Sequence, residues 1–169
     1  MNFVSGQDIG DTYSMGWVHR MAEAMNQNTT VEVLRRLARD KNSDVRHEVA
    51  SNRHSTADTL KKLATDDIWQ TRQAVAYNIS TPVEVLAKLA RDKNSDVRLA
   101  VAGNPNVTEN VLLRAYRDRS TKVREAVARN IKIPPEAVTR LSLSKASRIR
   151  QALAKNPSVP EHIRVGLSL

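Results

Sequence analysis

The chain of 169 residues contains no cysteine, which excludes disulfides, thiolate metal sites and a cysteine nucleophile. Aromatic residues make up only 4%, so an apolar core must be built from Leu, Val, Ile and Ala. That suits thin helical layers better than one deep globular centre. The five glycines are scattered, so no Gly-rich phosphate loop exists. No segment approaches the ~18 consecutive apolar residues of a membrane span. The opening residues, MNFVSGQDIGDTYSMG, lack a charged segment followed by an apolar run. A protein with no membrane contact, in the cytoplasm, is the expectation.

What is present is a register. Arg20, Arg46, Arg72, Arg98, Arg124 and Arg150 recur at a constant spacing of 26 residues. An alanine follows each by four positions (Ala24 to Ala154) and an asparagine by six (Asn26 to Asn156). Self-similarity at this period marks a solenoid, whose units bury their apolar faces only against neighbours. In residues 29–54, Thr29 and Glu32 have capping-box spacing, and Leu34, Leu37 and Ala38 form one apolar helical face. Thr81-Pro82-Val83-Glu84 repeats the capping-box spacing, with Pro82 expected at the first helical position. Asp40-Lys41-Asn42 breaks the helix, and Ser43 is a favourable N-cap for a second one carrying Val45 and Val49 inward. Apolar spacing of three and four, not two, excludes a sheet. The expectation is an all-α, right-handed α-solenoid superhelix of about six 26-residue two-helix repeats, the second helix partly 3₁₀. Residues 17–169 form that domain, and residues 1–16 form an N-terminal cap in which Phe3, Val4 and Ile9 cover the first repeat.

Leu86, Leu89, Ala90, Asp92, Val97, Arg98, Val101, Ala102, Asn104 and Pro105 trace a pattern that resembles the leucine-rich repeat variant family and, more loosely, HEAT-like repeats. The resemblance implies a right-handed superhelix of paired helices. The iron–sulfur cluster known in the variant family needs cysteines, so it does not carry over, and no cofactor is expected. HEAT-like relatives include base-excision enzymes and bilin lyases as well as binding scaffolds.

Most repeated polar residues read as structural. Asp40, Asp66, Asp92 and Asp118 stand six positions before an Arg, which suggests a ladder of ion pairs within and between units. In the last repeat Ser144 replaces the acid, and Arg150 is expected to lose its partner. The Asn row lies on the buried stripe and should bond backbone of the neighbouring turn. Arg36, Lys62, Lys88 and Arg140 follow Glu32, Asp58, Glu84 and Glu136 by four positions, the spacing of helix-surface pairs. The four histidines have no metal-ligand spacing, and Trp17 and Trp69 share one repeat position as fillers of shallow surface gaps. No Ser/His/Asp constellation has a signature.

Function is most readable where the pattern breaks. Residues 1–112 carry no net charge, while residues 113–169 carry the whole excess of +9. The first position after the cap reads Asp44, Gln70, Asp96, then Lys122 and Arg148. A cation at a helix N-terminus opposes the macrodipole by ~0.3–1 kcal/mol. Cations beside the free amides following Thr121 and Ser147 make a ready anion site. Arg114, Arg117, Arg119, Lys122, Lys145, Arg148 and Arg150 are therefore the candidate polyanion-binding residues. Two readings compete for them: a strip binding nucleic acid backbone or another polyanion, such as an acidic protein, and a solvated end that only aids solubility. The leading functional reading is a non-enzymatic binding module without metal, catalytic site or small-molecule substrate. The alternatives are a protein–protein scaffold using the concave surface, and a HEAT-like enzyme on damaged DNA built on Asp66, Asp67 and Trp69.

Overall fold

The structure, a computed structural model, describes residues 16–167. Its described residues contain twelve helices and no strand. Nine-residue helices alternate with shorter ones. The longer set is α1 (Trp17–Met25), α3 (Ser43–Ser51), α5 (Trp69–Tyr77), α7 (Ser95–Gly103), α9 (Thr121–Arg129) and α11 (Ser147–Lys155). The shorter set is α2 (Val31–Leu37), α4 (Ala57–Leu63), α6 (Val83–Leu89), α8 (Glu109–Ala115), α10 (Pro135–Ser142) and α12 (Glu161–Leu167). The longer helices pack directly on one another, α1 on α3 through α9 on α11, with each shorter helix against its sequence neighbours. The result is a helical repeat array. Residues 1–15 are outside the described part, and so are Phe3, Val4 and Ile9 of the expected cap.

Local chemistry sets the helix ends, with several corrections to expectation. Asn42, not Ser43, caps α3: its Oδ1 accepts from the backbone N–H of Asp44 at 2.7 Å and of Val45 at 3.3 Å. Thr30, not Thr29, caps α2 by accepting from Val33 N–H. Thr29 instead donates its hydroxyl to Glu23 O at 2.6 Å, pinning the end of the preceding long helix. Pro82 occupies the N-cap of α6, and Pro135 takes the first helical position in α10. The long helices are α-helical throughout. Tight i→i+3 bonds occur at helix ends in both sets: Asp40 N–H donates to Leu37 O at 2.9 Å after α2, and Asn104 N–H to Val101 O at 3.1 Å after α7.

One continuous core runs the length of the array, with Leu34, Val49, Leu60, Val75, Leu86, Val101, Leu112, Val127 and Leu153 fully enclosed. Each such side chain contributes ~1.5–3 kcal/mol by leaving water. Ala74, Ala100, Ala126 and Ala152 let the long helices approach closely. Trp69 packs half-buried against this core, while Trp17 remains exposed.

Two polar ladders lock the repeats. The buried Asn52 amide donates to Ala24 O at 2.8 Å and Asn26 O at 3.1 Å. Asn78, Asn104, Asn130 and Asn156 repeat this on the carbonyls 28 and 26 positions earlier. Each Asn Oδ1 then accepts from the N–H two residues ahead, as from His54 at 2.9 Å, holding the chain extended after the helix. The second ladder is built from Arg and Asp.

Candidate functional site

The Arg ladder has a direction that spacing alone did not reveal. Arg72 Nη1 donates to the turn of its own repeat, to Asp66 O at 2.6 Å and Asp67 O at 3.0 Å. Its Nε and Nη2 form a fork on the carboxylate of the next repeat, Asp92, at 2.6 and 3.0 Å. Arg20–Asp40, Arg46–Asp66 and Arg98–Asp118 have the same fork at the same separation of twenty residues. Burial by itself would raise the carboxyls of Asp40, Asp66, Asp92 and Asp118. The guanidinium hydrogen bond, a backbone N–H and the attraction of nearby cations together outweigh it and hold all four below the ordinary range. The same bonds raise Arg46, Arg72 and Arg98.

The position of the missing acid follows. Twenty residues beyond Arg124 stands Ser144, so the residue deprived by this substitution is Arg124, not Arg150. Arg150 Nη1 donates to Ser144 O, the same own-turn contact that the other rungs make. It belongs to the ladder edge, half-buried, rather than to an exposed strip.

The remaining candidates separate into groups. Lys122 and Arg148 are the second residues of α9 and α11, and both are exposed. Ser120 and Ala146, not Thr121 and Ser147, occupy the caps, and neither makes a side-chain cap bond. The first-turn amides that Asn42 and Asn94 cover in α3 and α7 are thus left without a side-chain acceptor here. Arg119 and Lys145 are exposed in the turns leading into these helices. Arg114 is exposed on α8, in the short-helix layer.

Arg117 is engaged elsewhere: its Nε donates to the Tyr116 hydroxyl at 2.6 Å and its Nη2 to Glu136 of α10 at 3.1 Å. The Tyr116 hydroxyl also donates to Glu136, and that bond, with Arg117, holds the Glu136 carboxyl below its usual range. Glu136 therefore serves as a cross-link between short helices rather than as the expected helix-surface partner of Arg140. Likewise, no ion pair joins Asp58 to Lys62 or Glu84 to Lys88, and Arg36 reaches Glu23 across the repeat junction at 3.7 Å.

Two basic residues that the sequence reading passed over complete the face. Arg129 and Lys155, the last residues of α9 and α11, lie seven positions after Lys122 and Arg148 and are exposed on the same helices. The signal was available: both are basic at a row occupied earlier by Met25, Ser51, Tyr77 and Gly103. A cleft of about 310 Å³ between α9 and α11 is lined by Arg129, Arg148, Lys155, Gln151 and Glu125. Glu125 binds Arg129 at 2.5 Å and approaches Arg148 at 4.0 Å, so the single acid in the cleft is spent on orienting two cations. Lys122, Arg129, Arg148 and Lys155 thus bracket one surface made by two adjacent, directly packed helices.

The cluster considered for damaged-DNA chemistry does not present a free acid pair, because Asp66 is held by Arg46 at 2.6 and 3.1 Å. Among the described residues, no group of His, Asp or Glu stands together in a way that could hold a metal ion, and no helix is long and apolar enough to cross a membrane. No protein-family model and no curated protein matches the chain.

Proposed function

We propose that the protein is a non-enzymatic repeat-type binding module whose C-terminal basic surface takes a polyanion, nucleic acid backbone first among them. The observation that carries this reading is the convergence of Lys122, Arg129, Arg148 and Lys155 on α9 and α11, with Glu125 the only acid among them. Arg119 and Lys145 extend the surface into the adjoining turns. Contact is chiefly to phosphates, since the surface is built of cations and offers no aromatic rings for stacking. A right-handed superhelix of the leucine-rich repeat variant or HEAT-like kind, located in the cytoplasm, is the architecture and setting proposed with it.

The test is fluorescence anisotropy with a 20-base-pair duplex across a salt series. Four cations neutralising four phosphates give a log–log salt slope of about −3 to −4, which weakens binding roughly 100-fold from 50 to 200 mM salt. The double variant Lys122→Glu/Arg148→Glu should abolish binding with helicity intact, and Arg129→Glu/Lys155→Glu should do the same. Arg114→Glu should change little. Salt-independent binding, or full affinity in either double variant, sinks the reading.

A second reading has its own observation. Ile79 and Ile131 are 62% and 65% exposed at equivalent turns, and with Pro82, Val83 and Val107 they line a groove of about 800 Å³. Such a groove supports the protein scaffold alternative. Replacement of Ile79 and Ile131 by Ser would then abolish capture of a protein partner, with no effect on duplex binding. The enzyme alternative draws no support from Asp66, whose carboxylate is engaged.

A further inference from the structure

The ladder offers an internal standard for what an unfilled rung looks like. In four rungs the Arg fork closes on a carboxylate, with Nε contacts of 2.6–2.7 Å. In the fifth, Arg124 is set in the same way. Its Nη1 donates to Asp118 O and Arg119 O, fixing the guanidinium against its own turn. The receiving turn also keeps the register. Ser144 N–H donates to Leu141 O at 3.0 Å, as Asp118 N–H does to Ala115 O at 2.9 Å. Ser144 Oγ accepts from Ala146 N–H at 3.2 Å, as Asp118 Oδ1 accepts from Ser120 N–H at 2.8 Å. The two halves of a rung are in place, and only the carboxylate between them is missing. Nη2 turns to the Thr121 hydroxyl at 3.1 Å, and Nε has no acceptor among the described residues.

We infer that the fork of Arg124 and the hydroxyl of Ser144 form a subsite for one phosphate group, occupying the space that Asp oxygens fill in the other rungs. A tetrahedral oxyanion suits this gap. Two of its oxygens accept from Nε and Nη2 in the bidentate manner favoured by a guanidinium. A third accepts from the Ser144 hydroxyl, whose lone pair already takes the Ala146 N–H, leaving its proton to donate. Lys145, adjacent in the turn, adds charge. The subsite rests on the reading that the C-terminal third receives a phosphate-bearing polyanion, and it sets the register of that polyanion on the array through one defined group.

Arginine side-chain NMR, observing each Nε–Hε pair, tests this on the full chain. Inorganic phosphate is titrated against chloride at matched ionic strength, and a 20-base-pair duplex is the second arm. The expected result is a saturable shift of the Arg124 signal with inorganic phosphate, while Arg46, Arg72 and Arg98 stay still. Ser144→Asp completes the fifth rung. In that variant the Arg124 signal should move toward those of Arg72 and Arg98, lose its phosphate response, and duplex affinity should fall 3- to 10-fold. An Arg124 signal indifferent to phosphate, or duplex binding by Ser144→Asp equal to wild type, overturns the subsite, and the polyanion reading survives if Lys122 and Arg148 variants still lose the duplex. Conversely, a phosphate response at Arg124 in a protein that binds no duplex upholds the subsite and removes the nucleic acid reading.

Discussion

Replacing Asp92 by Asn tests whether the Arg–Asp ladder holds the array together. The rung is the most enclosed of the four, with both side chains 8% exposed. Asn is nearly isosteric, retains an oxygen for one guanidinium contact, and can still cap the turn by accepting from Asn94 N–H, a bond of 2.8 Å in the native protein. What it removes is the charge and one of two charge-assisted bonds. Breaking a buried pair costs ~3–5 kcal/mol. Arg72 keeps two backbone carbonyls through Nη1 and Asn keeps one contact, so the loss falls at or just below the low end of that range, about 2–3 kcal/mol. For a chain of this size that corresponds to a fall of roughly 5–10 °C in Tm. Urea denaturation and thermal melts followed by circular dichroism at pH 7 read it directly, with the exposed Asp58→Asn as a control expected within about 0.5 kcal/mol of wild type. A cycle with Arg72→Gln should show a coupling of at least ~1 kcal/mol. If Asp92→Asn matches the control, or if its effect is the same with and without Arg72, the ladder does not hold the array together.

Further expectations concern the other polar positions. Thr71 is fully buried at a row that holds Val45, Val97, Val123 and Ile149 in the neighbouring repeats, and its hydroxyl has no hydrogen-bond partner. Thr71→Val should therefore stabilise by about 1–2 kcal/mol, seen as a raised urea midpoint at unchanged m-value. Asn104→Ala strips donors from Ala76 O and Asn78 O inside the core and should cost about 2–4 kcal/mol by the same assay. The four ladder aspartates titrate below the unfolded value of ~3.9, so the stability they confer is complete above that value and is lost as pH falls through their depressed native ones. An acid titration monitored by circular dichroism should accordingly show a plateau above about pH 5 and cooperative loss below pH 4, shallower in Asp92→Asn.

The repeat, its helical content and the inward rows were readable because a period of 26 forces the same local answer six times over. Asn52 and its equivalents declared themselves by lying on the buried stripe. The ladder's direction was not readable. Asp40 lies six residues from Arg46 and twenty from Arg20, and sequence offers the nearer pairing, whereas a side chain leaving the first turn of a long helix points toward the following repeat. That one reversal moved the broken rung from Arg150 to Arg124. Helix caps slipped by one residue for a related reason: Asn42 and Ser43 are both good caps, and the Asx turn begun by Asp40 on Asn42 N–H at 2.8 Å favours the earlier. Arg129 and Lys155 are hard to single out in the sequence because they end their helices, two turns from the break at Lys122 and Arg148.

The charge imbalance acquires meaning only through these contacts. Residues 113–169 contain four acids against thirteen Lys and Arg. Asp118 is taken by Arg98, a residue of the preceding repeat, so it neutralises charge outside this third. Glu136 is bound by Tyr116 and Arg117 on the short-helix side. Glu125 is shared between Arg129 and Arg148, and only Glu161 remains exposed without such a bond. Of these acids Glu125 alone is paired with cations of α9 and α11, and a ladder that ran on through Ser144 as Asp would have supplied one more. A sequence that only needed solubility could have placed its excess charge on any repeat surface. Here the surplus coincides with the one place among the described residues where the repeat gives up an acid its own geometry is built to hold, which is the arrangement a surface requires if phosphate is to supply the missing charge.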